Sequence, residues 1–302
     1  MFAKLAHGLT QHLAPDQLTI VVNTGDDFEH LGLLICPDID TVLYNLAEAQ
    51  HPQQGWGRRD ESFQVLEETK RLGHDAWFRL GDRDIALHLL RRQMLDLGLP
   101  LTEVTLELAR RLGIAHPVLP MSDQPVRTII LTPEGEMPFQ EYFVHRRTEP
   151  MMLGMRLEGL DQAQPTMAVL TALAEADLIV FCPSNPYVSI DPILALSGVR
   201  EIIRDKPAIA VSPIIGGVAL KGPAAKMMAE LGADVSATGV ARHYADLLDG
   251  FVLDQADQQL AEQISAIGIE PFVTNTIMRD KMDRERLAGE VLEFAQFREH
   301  AP

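Results

Sequence analysis

The chain has 302 residues, 46% hydrophobic and 23% charged, the proportions of a folded globular protein able to bury a sizeable core. A net charge of −17 argues against general binding to nucleic acid or to an acidic membrane, since both need a positive surface. Cys36 and Cys182 are too few for a disulfide framework, and no run approaches the roughly 18 apolar residues of a membrane span, so the expectation is a cytoplasmic protein with no membrane partner.

The first periodic segment, residues 3–13, places Leu5, Leu9 and Leu13 four apart and predicts a helix. Residues 18–22 are a short apolar run typical of a strand buried on both faces. That run ends in Asn23-Thr24-Gly25-Asp26-Asp27, and Asp38 and Asp40 follow just before a predicted helix over 41–49. Ligands in parallel α/β sheets bind beyond the carboxyl ends of strands, and clustered carboxylates suit a hard divalent cation. Residues 51–60 have loop composition around Trp56, and helices are predicted over 61–72, 85–97 and 101–112. Asp82 and Asp84 are candidate caps for the second of these, while Arg79 and Arg83 flank its start.

Residues 127–132 and 137–144 read as a β-hairpin, with 145–150 as the exit from an inserted subregion. Buried strands are predicted at 178–181 and 208–211. The loops after them carry Ser184-Asn185 between prolines and Gly216-Gly217, with Lys221 beyond. Strands alternating with helices imply a Rossmann-like three-layer α/β/α fold with a mostly parallel sheet and an inserted helical and hairpin subregion. The expected organisation is a single domain over 1–302 with the insertion at roughly 50–150.

In combination, several motifs resemble the 2-phospho-L-lactate transferase family of coenzyme F420 biosynthesis. They are Val-Val-Asn-Thr-Gly-Asp-Asp (21–27), Cys-Pro-Asp-Ile-Asp-Thr-Val-Leu-Tyr (36–44), Gly-Trp-Gly (55–57), Leu-Gly-Asp-Arg-Asp (80–84), Leu-Pro-Met-Ser-Asp (119–123), Phe-Gln-Glu-Tyr (139–142), Pro-Ser-Asn-Pro (183–186), Val-Ser-Pro-Ile-Ile-Gly (211–216) and Lys-Gly-Pro-Ala-Ala-Lys (221–226). The resemblance implies a Mg²⁺-dependent transfer of a phosphorylated three-carbon acid from a guanosine diphosphate-linked donor to the 5-deazaflavin Fo, with GMP released. It places Asp26 and Asp40 in catalysis, and Asp26 and Asp27 on the metal. Asp40, Arg79, Asp82 and Arg83 go with Fo, Ser184, Asn185 and Lys221 with donor phosphate, and a homodimer is implied. Asp40 and Arg79 are expected at loop ends, where truncation leaves the fold intact.

The family opens with a strand and a Gly-rich loop where this sequence has Met1-Phe2, so a strand and turn upstream of this start are expected. Two alternatives stand beside the transferase reading. One is an N-terminally shortened inactive paralogue. The other is a regulatory nucleotide-sugar-binding protein, which would continue the turn as Asp-Asp-Gly-Gly-Ser-Ser-Gly where this chain has Asp26-Asp27-Phe28-Glu29-His30.

Overall fold

Four of the apolar runs, Ile179–Phe181, Ala208–Val211, Gly250–Asp254 and Glu270–Thr274, pair side by side in a parallel sheet. A computed structural model describes residues 2–51, 57–219 and 222–299. Alternation along the strands sorts their side chains to two faces. Ala208, Ala210, Phe251 and Leu253 enter a core with Val169 and Leu173 of helix Met167–Glu175 and Val240 of helix Ala237–His243. Ile209, Val211 and Val252 face Leu5 and Leu9 of helix Phe2–Leu9 and Leu287 and Val291 of helix Lys281–Glu299. Helices on both faces make three layers, as expected. The Phe2–Leu9 helix lies so close to its neighbour that a Cβ on Gly8 would come within 2.2 Å of the Arg284 carbonyl oxygen.

Strand Ile20–Val22, shorter than the predicted 18–22, pairs in parallel with Val118–Pro120 as a separate two-stranded sheet. Between these strands lie the Phe28–His30/Leu33–Ile35 hairpin and four helices, Pro37–Leu46, Gln64–Arg71, Asp82–Asp96 and Leu101–Arg111. Ile39, Leu43, Leu87, Val104 and Leu108 of these helices bury Val22 and Val118 in a second core. Pro37 suits the first turn of its helix because the amide it lacks has no intrahelical acceptor there.

The predicted hairpin supplies two strands of a three-stranded antiparallel sheet in the order Gly135–Pro138, Arg127–Thr132, Gly154–Glu158. Its second strand ends at Pro138, ahead of a π-helical turn over Glu141–His145. The third strand lies beyond residues 145–150, in a stretch without a predicted strand. Its residues are exposed or half-buried, so it lacks the apolar run that marks a core strand, and backbone pairing with 127–131 holds it in place. Among the described residues no helix is long and apolar enough to cross a membrane.

Candidate active site at the strand ends

Three separate parts of the chain meet at Gly25. Its carbonyl accepts from Thr128 N at 2.7 Å, and its amide donates to Asn23 Oδ1 at 2.7 Å. A Cβ there would lie 2.9 Å from both Asn23 Oδ1 and Thr128 Oγ1 and 3.3 Å from Pro192 Cβ, so only glycine fits. Asn23 Nδ2 donates to Asp38 Oδ2 and to the Val188 carbonyl, each at 3.0 Å. The first strand's turn, the antiparallel sheet and the loop after Ile179–Phe181 are thereby held in one place. Asn23 and Thr128 carry no catalytic signature in sequence, and only this convergence reveals them.

The turn buries two carboxylates without fully satisfying them. Asp26 is 6% and Asp27 2% exposed, and the Oδ1 of each has no hydrogen-bond partner; the same holds for Thr24 Oγ1 and Thr128 Oγ1. Burial, then repulsion from Asp38 and Asp27, raises the Asp26 carboxyl well above the usual range. Burial pushes Asp27 up to about 7 against the pull of Arg127, and Asp38 up to about 6 against its hydrogen bond from Asn23. Buried polar atoms are nearly always paired, so this group of orphaned oxygens is the pattern of a site that a ligand completes. Mg²⁺ fits the donor set, which consists of hard oxygens. Among the described residues no three His, Cys, Asp or Glu side chains converge as metal ligands, so Asp26 and Asp27 would hold the ion with the remainder of its shell from phosphate and water.

Asp40 is not at a loop end. It lies in the first turn of helix Pro37–Leu46, 5% exposed, and both its oxygens are bound by Arg91, a guanidinium with no exposure at all. Arg91 Nη1 also donates to the Leu34 carbonyl at 3.2 Å and to His88 Nδ1 at 3.0 Å, which leaves the His88 proton on Nε2. Burial lowers the His88 pKa to about 4, so Arg91 alone balances Asp40 at neutral pH. The expectation that Asp40 can be truncated without cost is therefore corrected: its partner would become an unpaired buried charge.

Arg79 is exposed, its guanidinium 4.1 Å from the centre of the Phe63 ring. Arg83 is exposed on helix Asp82–Asp96. Asp82 acts as a cap, though for a different helix from the one it begins. Its carboxylate accepts from Gln64 N, Val65 N and Ser62 Oγ, closing the N-terminus of Gln64–Arg71. Glu61 reciprocates, accepting from Arg83 N and Asp84 N at 2.9 and 3.1 Å. Those bonds explain why the predicted 61–72 helix starts at Gln64.

Of the residues expected on donor phosphate, Asn185 closes its own turn: Oδ1 accepts from Tyr187 N, and Nδ2 reaches Met227 Sδ. Ser184 is half-buried beside it. Lys221 and Trp56 lie outside the described residues. Asp257, which carried no sequence signal, accepts from Gly216 N at 2.9 Å and fixes the diglycine loop.

A family model described as 2-phospho-L-lactate transferase CofD matches residues 2–292. A 2-phospho-L-lactate transferase from Methanococcoides burtonii is 44% identical over 276 residues, covering 91% of this chain and 90% of the relative. A phosphoenolpyruvate transferase from Streptomyces griseus is 42% identical over 302 residues, covering 97% of this chain and 95% of the relative. The crystal structure of a UPF0052 family member from Bacillus halodurans shares the fold, with a TM-score of 0.61 at 16% identity over 96% of this chain and 95% of that one. Matched along nearly its whole length, the chain belongs to the 2-phospho-L-lactate transferase family and is a transferase.

Proposed function

We propose that this chain transfers a phosphorylated three-carbon acid from a guanosine diphosphate-linked donor to the ribityl hydroxyl of Fo, forming F420-0 or its dehydro form and releasing GMP. The observation that carries the reading is the group of buried, unpartnered oxygens on Thr24, Asp26, Asp27 and Thr128 at the end of strand Ile20–Val22. Relatives are named for both 2-phospholactate and phosphoenolpyruvate, so the donor carries one of these acids or a close analogue.

In the reaction the acceptor hydroxyl oxygen attacks the phosphorus that bears the acid. The bond from that phosphorus to the bridging oxygen breaks, and GMP departs with the bridging oxygen. Asp26 takes the hydroxyl proton. Burial makes its carboxylate a stronger proton acceptor than an exposed one. Asn23 and Thr128 hold the turn that aims Asp26. Bound at Asp26 and Asp27, Mg²⁺ would neutralise charge on the non-bridging phosphate oxygens, the main demand of phosphoryl transfer. Arg79, Arg83 and Asp82 serve the acceptor side, together with Asp40. Ser184, Asn185 and Lys221 serve the donor.

Asp26→Asn should lower kcat by about 100-fold or more while Fo affinity stays within about twofold. Turnover should also stop with excess chelator and return with Mg²⁺ or Mn²⁺. Full turnover by the variant would remove Asp26 from the proton transfer, and full turnover in chelator would remove the metal.

A further inference from the structure

Within the Asp26-Asp27 turn, the Thr24 carbonyl accepts from two donors, the Asp27 amide at 3.1 Å and Arg127 Nη1 at 3.4 Å. Arg127 opens strand Arg127–Thr132, one residue before the Thr128 that binds Gly25, and its Nη1 also donates to the Val126 carbonyl at 2.8 Å. Two backbone carbonyls thus hold one nitrogen of the guanidinium. Nε and Nη2 are left free, and the half-buried arginine pairs with no carboxylate among the described residues. Burial raises the Asp27 carboxyl, and Arg127 is the cation that pulls hardest the other way. Arg91, the other positive charge felt there, is committed to Asp40.

An arginine fixed by backbone carbonyls, with one edge of its fork free, is set for a planar anion from outside the chain. In a chain of net charge −17, an anionic donor also needs cations close at hand. In the proposed reaction Mg²⁺ neutralises the phosphate oxygens, but the transferred acid brings a further charge, its carboxylate. In 2-phospholactate and phosphoenolpyruvate alike, that carboxylate sits on the carbon whose oxygen carries the phosphorus. A phosphorus held at Asp26 and Asp27 therefore brings the carboxylate to the border of the turn, where Arg127 lies. We infer that Arg127 binds the carboxylate of the transferred acid through Nε and Nη2, and so selects donors that carry an acid over those that carry a neutral group. The inference rests on the proposed function and adds a residue for the one part of the donor that the phosphate and metal contacts leave unheld.

The test is calorimetric titration of the whole chain, in Mg²⁺ and without Fo. The ligands are guanylylated phospholactate and guanylylated phosphoenolpyruvate, each beside its carboxamide analogue, and GDP. Wild type should bind at least one acid about tenfold or more tighter than its amide, the worth of a charge-assisted pair of hydrogen bonds. Arg127→Gln should bind that acid and its amide alike, while GDP affinity stays within about twofold of wild type. Arg127→Lys should lose part of the preference, since it keeps the charge without the fork, and keeps the inference testable if Arg127→Gln does not fold. A merely structural role would weaken every ligand together and leave the ratio of acid to amide unchanged. That unchanged ratio in the folded variants, or wild type that binds acid and amide equally, would overturn this inference alone. So would a loss of GDP affinity as large as the loss of acid affinity, which would assign Arg127 to the diphosphate. Wild type that binds no guanylylated donor would overturn the proposed function with it.

Discussion

Asp40 and Arg91 are the ion pair whose breaking the molecule tolerates least. Removing one partner of a buried pair typically costs about 3–5 kcal/mol, because the other charge stays buried. Asp40→Ala should therefore lower the melting temperature sharply, and loss of activity in that variant should follow loss of folded protein. Arg79→Ala should stay within about 0.5 kcal/mol of wild type in stability and weaken Fo binding. Denaturant melts beside Fo titrations separate the two effects, and an Asp40→Ala protein as stable as wild type would contradict the buried-pair account. Asp84 makes a pH-dependent contribution. Its folded pKa of about 7 lies above the ordinary 3.8. Between those values the unfolded chain releases a proton that the folded chain keeps, so stability is lost as pH rises from about 4 to about 7. Asp84→Asn lacks this penalty. Its stability relative to wild type should climb across that window, by at most about 4 kcal/mol, and level off above it. A difference that stays flat from pH 4 to 8 would contradict the burial.

At the scale of elements, two helix starts depend on each other's carboxylates. Asp82 caps Gln64–Arg71 and Glu61 caps Asp82–Asp96, an exchange possible only because Gly81 has no side chain: a Cβ there would lie 2.3 Å from Glu61 Oε2. Gly81→Ala should displace Glu61 and cost about 1 kcal/mol, the usual worth of an N-terminal cap. Glu61→Ala should cost about the same, and the double variant little more, because both remove one interaction. Additive losses in thermal melts would show that Gly81 acts otherwise. The contrast between these helices and the sheet shows what was legible in the sequence. Runs such as Ile-Val-Phe at 179–181 and Ile-Ala-Val at 209–211 are apolar on both faces, so burial alone identified them as strands. The Asp26-Asp27 turn was legible for the same reason, standing at the end of such a run. The Asp82 exchange, the Arg91 partnership of Asp40 and the Gly216 contact of Asp257 join residues 18, 51 and 41 positions apart, and local pattern carries no trace of them.

The whole molecule is built on a parallel sheet in two pieces. Val21 packs against the core that holds Ile179 and Phe181, and Leu18 against the one that Leu178 and Val180 border. Yet Ile20–Val22 pairs with Val118–Pro120, Ile179–Phe181 pairs with Ala208–Val211, and no described strand joins the two sheets. Val21 and Val180 are only half-buried, where strands in the middle of a parallel sheet are normally enclosed.

The most direct test of the transferase reading is product analysis. Fo and Mg²⁺ are incubated in turn with guanylylated phospholactate, phosphoenolpyruvate and phosphoglycerate, and the products are followed by mass spectrometry. The account predicts that one donor yields GMP and a deazaflavin heavier by its phosphorylated acid, in equal amounts. Unchanged Fo with all three donors, from folded protein that binds Fo and GDP, would contradict it.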